Sequence, residues 1–339
     1  MEDDVRLSTR LKTNVGLHWS AFTVKEKFYH DWQPRVSARY LITPQLAAKA
    51  AYARMTQYVH LLTNTNIGLP TDLWVPTTPR LRPQTSNQVA FGLAQNFMDN
   101  YEISLEGYHK TLNNVLEYKE GASFFDSADA WEQKIVQGKG RSYGVELFAQ
   151  KKTGSFTGWV GYTLSWTDRQ FEALNEGKRF PFKYDRRHDV SIALMQRFGK
   201  KKQHEMSAVW VFGSGNSMTV PIGLYEAEHP MGEEYRNHYW GFGKFIPDNR
   251  QYEFSERNAY RMNPYHRLDL SVSFIKPKKW GERRWVIGLF NAYNRKNPFY
   301  LDIEYRNVSE GETYKGEQYK YVQYSLFPII PSISYQFKF

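Results

Sequence analysis

Tyr184-Asp185-Arg186-Arg187-His188-Asp189 is the densest group of chemically capable side chains in the chain. A hydrolytic reading would pair His188 with a neighbouring aspartate. In an extended strand adjacent residues point to opposite faces, so His188 and Asp189 cannot form a dyad. Arg186 and His188 would share one face, with Asp185, Arg187 and Asp189 on the other. This pattern assigns the cluster to ion pairing with neighbouring strands or with a domain inside them. Phe212-Gly-Ser214-Gly-Asn-Ser217 lacks the spacing of a nucleophile elbow and reads as a turn after a strand. Gly241-Phe-Gly243 is too short for a dinucleotide fingerprint. The nine histidines show no helical metal-ligand spacing, and the chain has no cysteine. No nucleophile–base pair falls on one face, so no catalytic residue, metal or cofactor is assigned, and a non-enzyme is expected.

Binding chemistry is more visible. The segment 59–84 carries Trp74, Arg80 and Arg82 among prolines, and the segment 216–262 carries Tyr235, Tyr239, Trp240 and Arg250. Aromatic faces beside cations could grip a sugar, a catecholate chelate or a peptide. The same residues could equally pack on one another as a compact loop. Their role depends on the elements that hold them.

Those elements are strands. Val160, Tyr162, Leu164 and Trp166 alternate with Gly161, Thr163 and Ser165, and His266, Leu268, Leu270, Val272 and Phe274 alternate with Arg267, Asp269, Ser271 and Ser273. Period two means one apolar face and one polar face. The expected strands cover 12–24, 31–43, 45–58, 85–98, 100–118, 138–152, 154–168, 184–198, 203–215, 263–276, 283–306 and 318–339, with a fragment before residue 10.

The connections alternate too. Around 43–45, 98–100, 151–154, 199–202 and 276–281 they are short and rich in turn residues. At 59–84, 119–137, 169–183, 216–262 and 307–317 they are mostly long. A β-sandwich gives no reason for this sorting, whereas an up-and-down barrel in an outer membrane does. Mean hydropathy is −0.65 and no apolar run is long enough for a spanning helix. Neither excludes a barrel, whose strands show lipid only at every second residue. With 45 basic and 35 acidic residues the formal charge is +10, yet no basic stripe marks one element, so no nucleic-acid partner is expected.

The terminus Ile333-Ser-Tyr335-Gln-Phe337-Lys-Phe339 alternates and ends on Phe. It resembles the closing strand of bacterial outer-membrane barrels, and the resemblance implies that Phe339 addresses the barrel insertion machinery. It sets 318–339 running inward, with the long loops outside. Tyr319, Tyr321 and Phe327, on the same parity as Tyr335 and Phe337, are expected to mark two aromatic girdles. Three segments narrow the family: Phe180 to Asp189, Gly288-Leu-Phe-Asn291-Ala-Tyr293-Asn294-Arg295-Lys296-Asn297-Pro298-Phe299, and Ser325-Leu-Phe-Pro328 to the terminus. Together they resemble the C-terminal barrel region of TonB-dependent outer-membrane receptors over residues 12–339.

The resemblance implies an all-β, transmembrane, antiparallel up-and-down β-barrel of about 22 strands with a plug inside. About 12–14 strands are legible in residues 1–339, which read as one domain, the C-terminal part of such a barrel. The plug, the TonB box, the early strands and any signal peptide are expected to lie outside this sequence. Implied partners are the lipid of a Gram-negative outer membrane, the plug, and the TonB complex through the missing N-terminal region. The implied function is uptake of a scarce nutrient: an iron chelate, cobalamin or an oligosaccharide. The alternative is a self-contained porin-like channel of about 12–14 strands.

Overall fold

The structure is a computed structural model. It describes residues 1–63, 72–120, 122, 130–226, 250–254, 256–310 and 313–339. The strands are β1 (Glu2–Arg6), β2 (Leu11–Val24), β3 (Lys27–Leu41), β4 (Leu46–Gln57), β5 (Val59–Leu62), β6 (Leu73–Pro76), β7 (Gln84–Phe97), β8 (Tyr101–Tyr118), β9 (Ile135–Lys151), β10 (Phe156–Gln170) and β11 (Phe180–Pro181). They continue as β12 (His188–Phe198), β13 (His204–Gly213), β14 (Ser217–Met218), β15 (Pro221–Glu226), β16 (Arg250–Phe254), β17 (Tyr260–Arg261), β18 (Tyr265–Lys278), β19 (Gly281–Phe290), β20 (Pro298–Glu310), β21 (Thr313–Ser325) and β22 (Ile330–Lys338).

One antiparallel sheet forms the wall, in the order β1-β2-β3-β4-β7-β8-β9-β10-β12-β13-β18-β19-β22, with β11 added on β10. Wall neighbours follow one another along the chain, as an up-and-down barrel requires. Among the described residues, β1 and β22 each pair on one side only.

Register carries one apolar face across the whole wall. Trp19 stands opposite Trp32, Val36 opposite Tyr52, Leu93 opposite Leu105, Leu105 opposite Leu147, and Tyr162 opposite Val190. The same row continues through Ile192 and Trp210, Ala208 and Leu270, Val272 and Ile287, and Ile287 and Ile333. These side chains are not covered by protein: Phe91 is 60% exposed, Trp32 57% and Ile333 68%. A continuous apolar surface of this extent needs a non-aqueous neighbour. The opposite face carries Glu106, Glu146, Thr163, Asp189 and Ser271.

Short connections gather at one end of the wall, and one tight turn, Lys25 and Glu26 between β2 and β3, stands at the other. The β7–β8 turn holds Met98 and Asp99 at φ of 48° and 54°, the left-handed pair that a tight hairpin demands. Thr43 Oγ1 accepts the amides of Gln45 and Leu46, and Ser8 Oγ accepts those of Arg10 and Leu11. At this end Trp280 packs on Phe337 and Phe339, with ring centroids 5.2 and 6.2 Å away. The long connections sit at the other end and build hairpins of their own: β5–β6, β15–β16 and β20–β21. The buried apolar clusters are there as well: Leu62, Leu81, Leu116, Tyr118 and Ile135; Val115, Phe171, Leu174 and Phe180; Met218, Val220, Met262 and Leu301.

Three strand expectations are corrected. The span 283–306 is two strands, β19 in the wall and β20 above it. The span 318–339 is likewise β21 above and β22 in the wall. The chain leaves β19 at Asn291 and Asn294 (φ 53° for both) and re-enters β22 past Phe327 (φ 58°). Asn tolerates the left-handed region, and Asn291 Nδ2 donates to the carbonyl of Phe327 (3.1 Å), clamping the exit to the return. Tyr319 and Tyr321 therefore belong to the outer hairpin β20–β21, not to a girdle. The expected strand 184–198 begins only at His188, because 182–187 form a turn in which the Asp185 amide reaches the carbonyl of Phe182 (2.8 Å).

Candidate functional site

The long-loop end is a bonded platform, not a set of loose loops. Asp185 is 1% exposed. Its carboxylate takes Arg261 at 2.6 Å, Arg187 at 3.2 Å and the Thr167 amide at 2.7 Å. Arg186 pairs instead with Asp189 at 3.4 Å, against strict alternation, because the backbone before β12 is not a strand. His188 Nδ1 shares a hydrogen bond with the Tyr162 hydroxyl (2.9 Å). The cluster picked out by sequence is a lock between wall and loops.

A second lock had no sequence signal. Glu117, at the end of β8, is fully buried and faces Arg257 at 3.2 Å and Arg169 at 3.5 Å. Arg257 also donates to the carbonyl of Tyr118 and Arg169 to that of Leu116. The Arg169 guanidinium lies 3.6 Å from the centroid of Phe182. A third lock is Asp72, which accepts Lys183 Nζ at 2.7 Å and the Tyr184 hydroxyl. Burial, then the bond to Asp72, raises the Tyr184 hydroxyl above the ordinary phenol range. Asn258 closes the set, its Nδ2 donating to the Pro181 carbonyl and its amide to Thr219 Oγ1.

His60 lies inside the β5–β6 hairpin with no solvent exposure. Its Nε2 bonds Thr77 Oγ1 at 3.1 Å, while Nδ1 is buried without a partner. Burial pushes its pKa down to about 4.

The residues picked out for ligand contact divide. Trp74 stands on β6 opposite Leu61 and is 65% exposed. Arg80 is exposed and lies 4.0 Å from Glu132. The Arg82 backbone exchanges two hydrogen bonds with the Gln137 side chain. Tyr235, Tyr239 and Trp240 lie outside the described residues, and Arg250 opens β16. A recess of about 460 Å³ lies between β15 and the β20–β21 hairpin, lined by Pro221, Ile222, Ile303, Tyr319 and Tyr321. The Tyr321 hydroxyl donates to the Pro221 carbonyl and so joins the two hairpins.

The wall's polar face holds unspent charge. Lys12, Arg39 and Lys49 stand in one cross-strand row, and none of the three makes an ion pair among the described residues. They border a recess of about 310 Å³ floored by Ser37, Ala51 and Ala90. Asp4 and Glu106 line the same recess, and Glu106 stands directly opposite Glu146 without a described ion pair. Like charges set opposite each other destabilise a sheet unless something neutralises them. Among the described residues no group of three His, Asp or Glu is placed to hold a metal ion.

An up-and-down wall with a greasy outside, a charged inside and interlocked loops at one end defines the wall of a transmembrane β-barrel. The family model described as "TonB dependent receptor-like, beta-barrel" matches residues 1–294. The chain belongs to that family. Solved structures agree on the fold at low identity. The ferripyoverdine receptor of the outer membrane of Pseudomonas aeruginosa superposes with a TM-score of 0.57 at 12% identity, over 88% of this chain and 34% of that one. The ferric-catecholate import receptor Fiu from E. coli K12 gives 0.57 at 12%, over 99% and 44%. The ferric yersiniabactin uptake receptor FyuA from Yersinia pestis gives 0.56 at 12%, over 98% and 44%. The chain thus spans between a third and a half of the length of these structures. No curated protein matches.

Proposed function

We propose that this chain is the C-terminal barrel wall and loop platform of an outer-membrane receptor for a scarce nutrient, with an iron chelate as the first candidate. Cobalamin and oligosaccharides are the other cargo classes on the same reading. The observation that carries it is the family match joined to the architecture: a lipid-facing exterior, a charged lumen and rigidly locked external hairpins. The iron-chelate choice is supported by the structural neighbours, which are receptors for ferric chelates. The two half-paired edges, β1 and β22, support further strands completing the barrel. The row Lys12, Arg39 and Lys49 and the pair Glu106 and Glu146 support a folded plug within the lumen that brings the opposite charges. Energy would come from the TonB complex through the region before this chain, and Phe339 would serve the insertion machinery.

Ligand contact is assigned to the platform, with Trp74, Arg80, Arg82, Tyr235, Tyr239, Trp240 and Arg250 as the contact residues. The test is uptake of a labelled ferric chelate by cells carrying the intact receptor. Uptake should depend on the proton-motive force and should disappear on deletion of loop 216–262, while the barrel still assembles. Uptake that persists without an energised inner membrane would favour a passive channel instead.

A further inference from the structure

We propose that a groove in the outward face of β8, β9, β10 and β12, at the short-turn end of the wall, holds one anionic glycerophospholipid. An acyl chain lies on Ala149 and Gly158, and the phosphate meets Lys151. The proposal rests on the transmembrane placement of the wall and assigns one lipid of the leaflet at the short-turn end to a particular place on it.

The groove comes from two small residues in an otherwise bulky face. Ile103 stands opposite Ala149, and Ala149 opposite Val160. One step nearer the turns, Tyr101 stands opposite Lys151, Lys151 opposite Gly158, and Gly158 opposite Leu194. At Gly158 no side chain fits. A Cβ there would stand 2.4 Å from the Ala193 carbonyl oxygen and 2.9 Å from Leu194 Cδ2. The resulting recess is about 470 Å³, with Phe97, Tyr101, Ile103, Phe156, Val160 and Leu194 as its sides. Of those six side chains only Tyr101 is polar, so the recess suits hydrocarbon and offers water few partners. Its frame is fixed in advance. Asn100 Oδ1 accepts the Thr153 amide at 2.9 Å, which ties the β7–β8 turn to the β9–β10 turn. The Arg197 amide donates to the Ser155 carbonyl at 2.7 Å, which ties β12 to the same turn.

Lys151 stands at the mouth. Its Nζ lies 5.7 Å from the ring centroids of both Tyr101 and Phe156. Two aromatic rings thus hold the ammonium at the level where hydrocarbon gives way to headgroups. Lys151 has no ion pair among the described residues, whereas its neighbour Lys152 is taken by Glu102 at 2.6 Å. The adjoining β12–β13 turn adds Lys200, Lys201 and Lys202, all exposed and none with an ion pair among the described residues. Glu205, on β13, is already shared by Arg197 at 3.5 Å and Arg284 at 3.7 Å. A net-positive mouth over an apolar groove matches a molecule with one negative head and a hydrocarbon tail. The excess charge favours phosphatidylglycerol, whose phosphate is uncompensated, over phosphatidylethanolamine, whose ammonium cancels it.

The experiment is native mass spectrometry of the intact receptor in a neutral detergent, with phosphatidylglycerol or phosphatidylethanolamine of identical acyl chains added. Phosphatidylglycerol should give the stronger adduct, at one lipid per receptor. Lys151→Gln should weaken it about five-fold, the typical effect of one basic residue at a charged membrane surface. Lys151→Arg should retain most of it. Ala149→Phe fills the groove without touching the charge and should abolish the preferred adduct. Millimolar glycerol phosphate, a head without a tail, should leave the adduct in place. Equal adducts from the two lipids, an unaltered adduct in Lys151→Gln or Ala149→Phe, or displacement by glycerol phosphate would each overturn the proposal. So would a lipid-free dimer that Ala149→Phe dissolves, because the groove would then be filled by a second copy of the chain. Heat-dependent gel migration separates the two readings. A folded barrel that does not distinguish the lipids defeats only the groove site, whereas loss of barrel behaviour in the parent protein would defeat the transmembrane placement itself.

Discussion

Asp185 holds one arginine two residues away and another seventy-six residues away, and the second contact makes it important. A buried carboxylate with its cations in place is stable, but removing its charge leaves those cations without a partner. Asp185→Asn should therefore loosen the platform by about 3 kcal/mol while the wall stays folded. Limited trypsin digestion would report this as faster cutting within 171–187 and 256–263, and unchanged cutting would argue against the lock. His60 makes a second, pH-dependent prediction. Its pKa is about 4 in the folded hairpin against an ordinary value of 6.5. The opened hairpin takes up the proton first as pH falls, so closure is weakened progressively below about 6.5 and the loss is complete near 4. Protection factors for amide exchange over Val59–Leu62, taken relative to the intrinsic exchange rate at each pH, should fall between pH 7 and pH 4.5, and His60→Gln should remove most of that fall. Sequence pointed to Asp185 because it sits in a dense polar run. Glu117 escaped notice because its partner Arg257 lies 140 residues away and its neighbours Leu116 and Tyr118 are apolar.

At the scale of elements, the wall was legible and the outer hairpins were not. Each wall strand separates lipid from a watery lumen, which forces alternation such as Val160 to Trp166. The hairpin β20–β21 also alternates and is also aromatic, with Tyr300 stacked on Tyr324 at 4.7 Å. Its Leu301 packs on Met218, Val220 and Met262, in protein and not in lipid, and periodicity alone does not separate such a hairpin from its neighbours. The break was written in Asn291 and Asn294, whose turn chemistry was hidden inside a family-like motif. Asn291 is fully buried, accepts the Arg295 amide (2.9 Å), and donates to the carbonyls of Arg295 and Phe327. Asn291→Ala should cost about 2–3 kcal/mol from the left-handed backbone and the orphaned bonds. Hydrogen exchange should then rise across β20 and β21 and stay slow in β19. Equal acceleration in β19 would mean that the hairpin and the wall form one cooperative unit.

At the scale of the whole molecule, stability comes from two different media. The wall hides its apolar face in lipid, while the platform buries Leu116, Phe171 and Met218 in protein. Solubilisation should therefore strip the wall of its apolar partner before it disturbs the locks at Glu117 and Asp185. Residues 1–339 contain no cysteine, so an introduced thiol is unique within them. The most direct test is a single-cysteine scan of Val160, Gly161, Tyr162, Thr163, Leu164 and Ser165 in membrane-embedded protein. A water-soluble maleimide should label positions 161, 163 and 165 through the lumen, and a lipid-borne quencher should reach fluorophores at 160, 162 and 164. Uniform labelling along the strand, or the opposite alternation, would contradict a wall with lipid outside and water within.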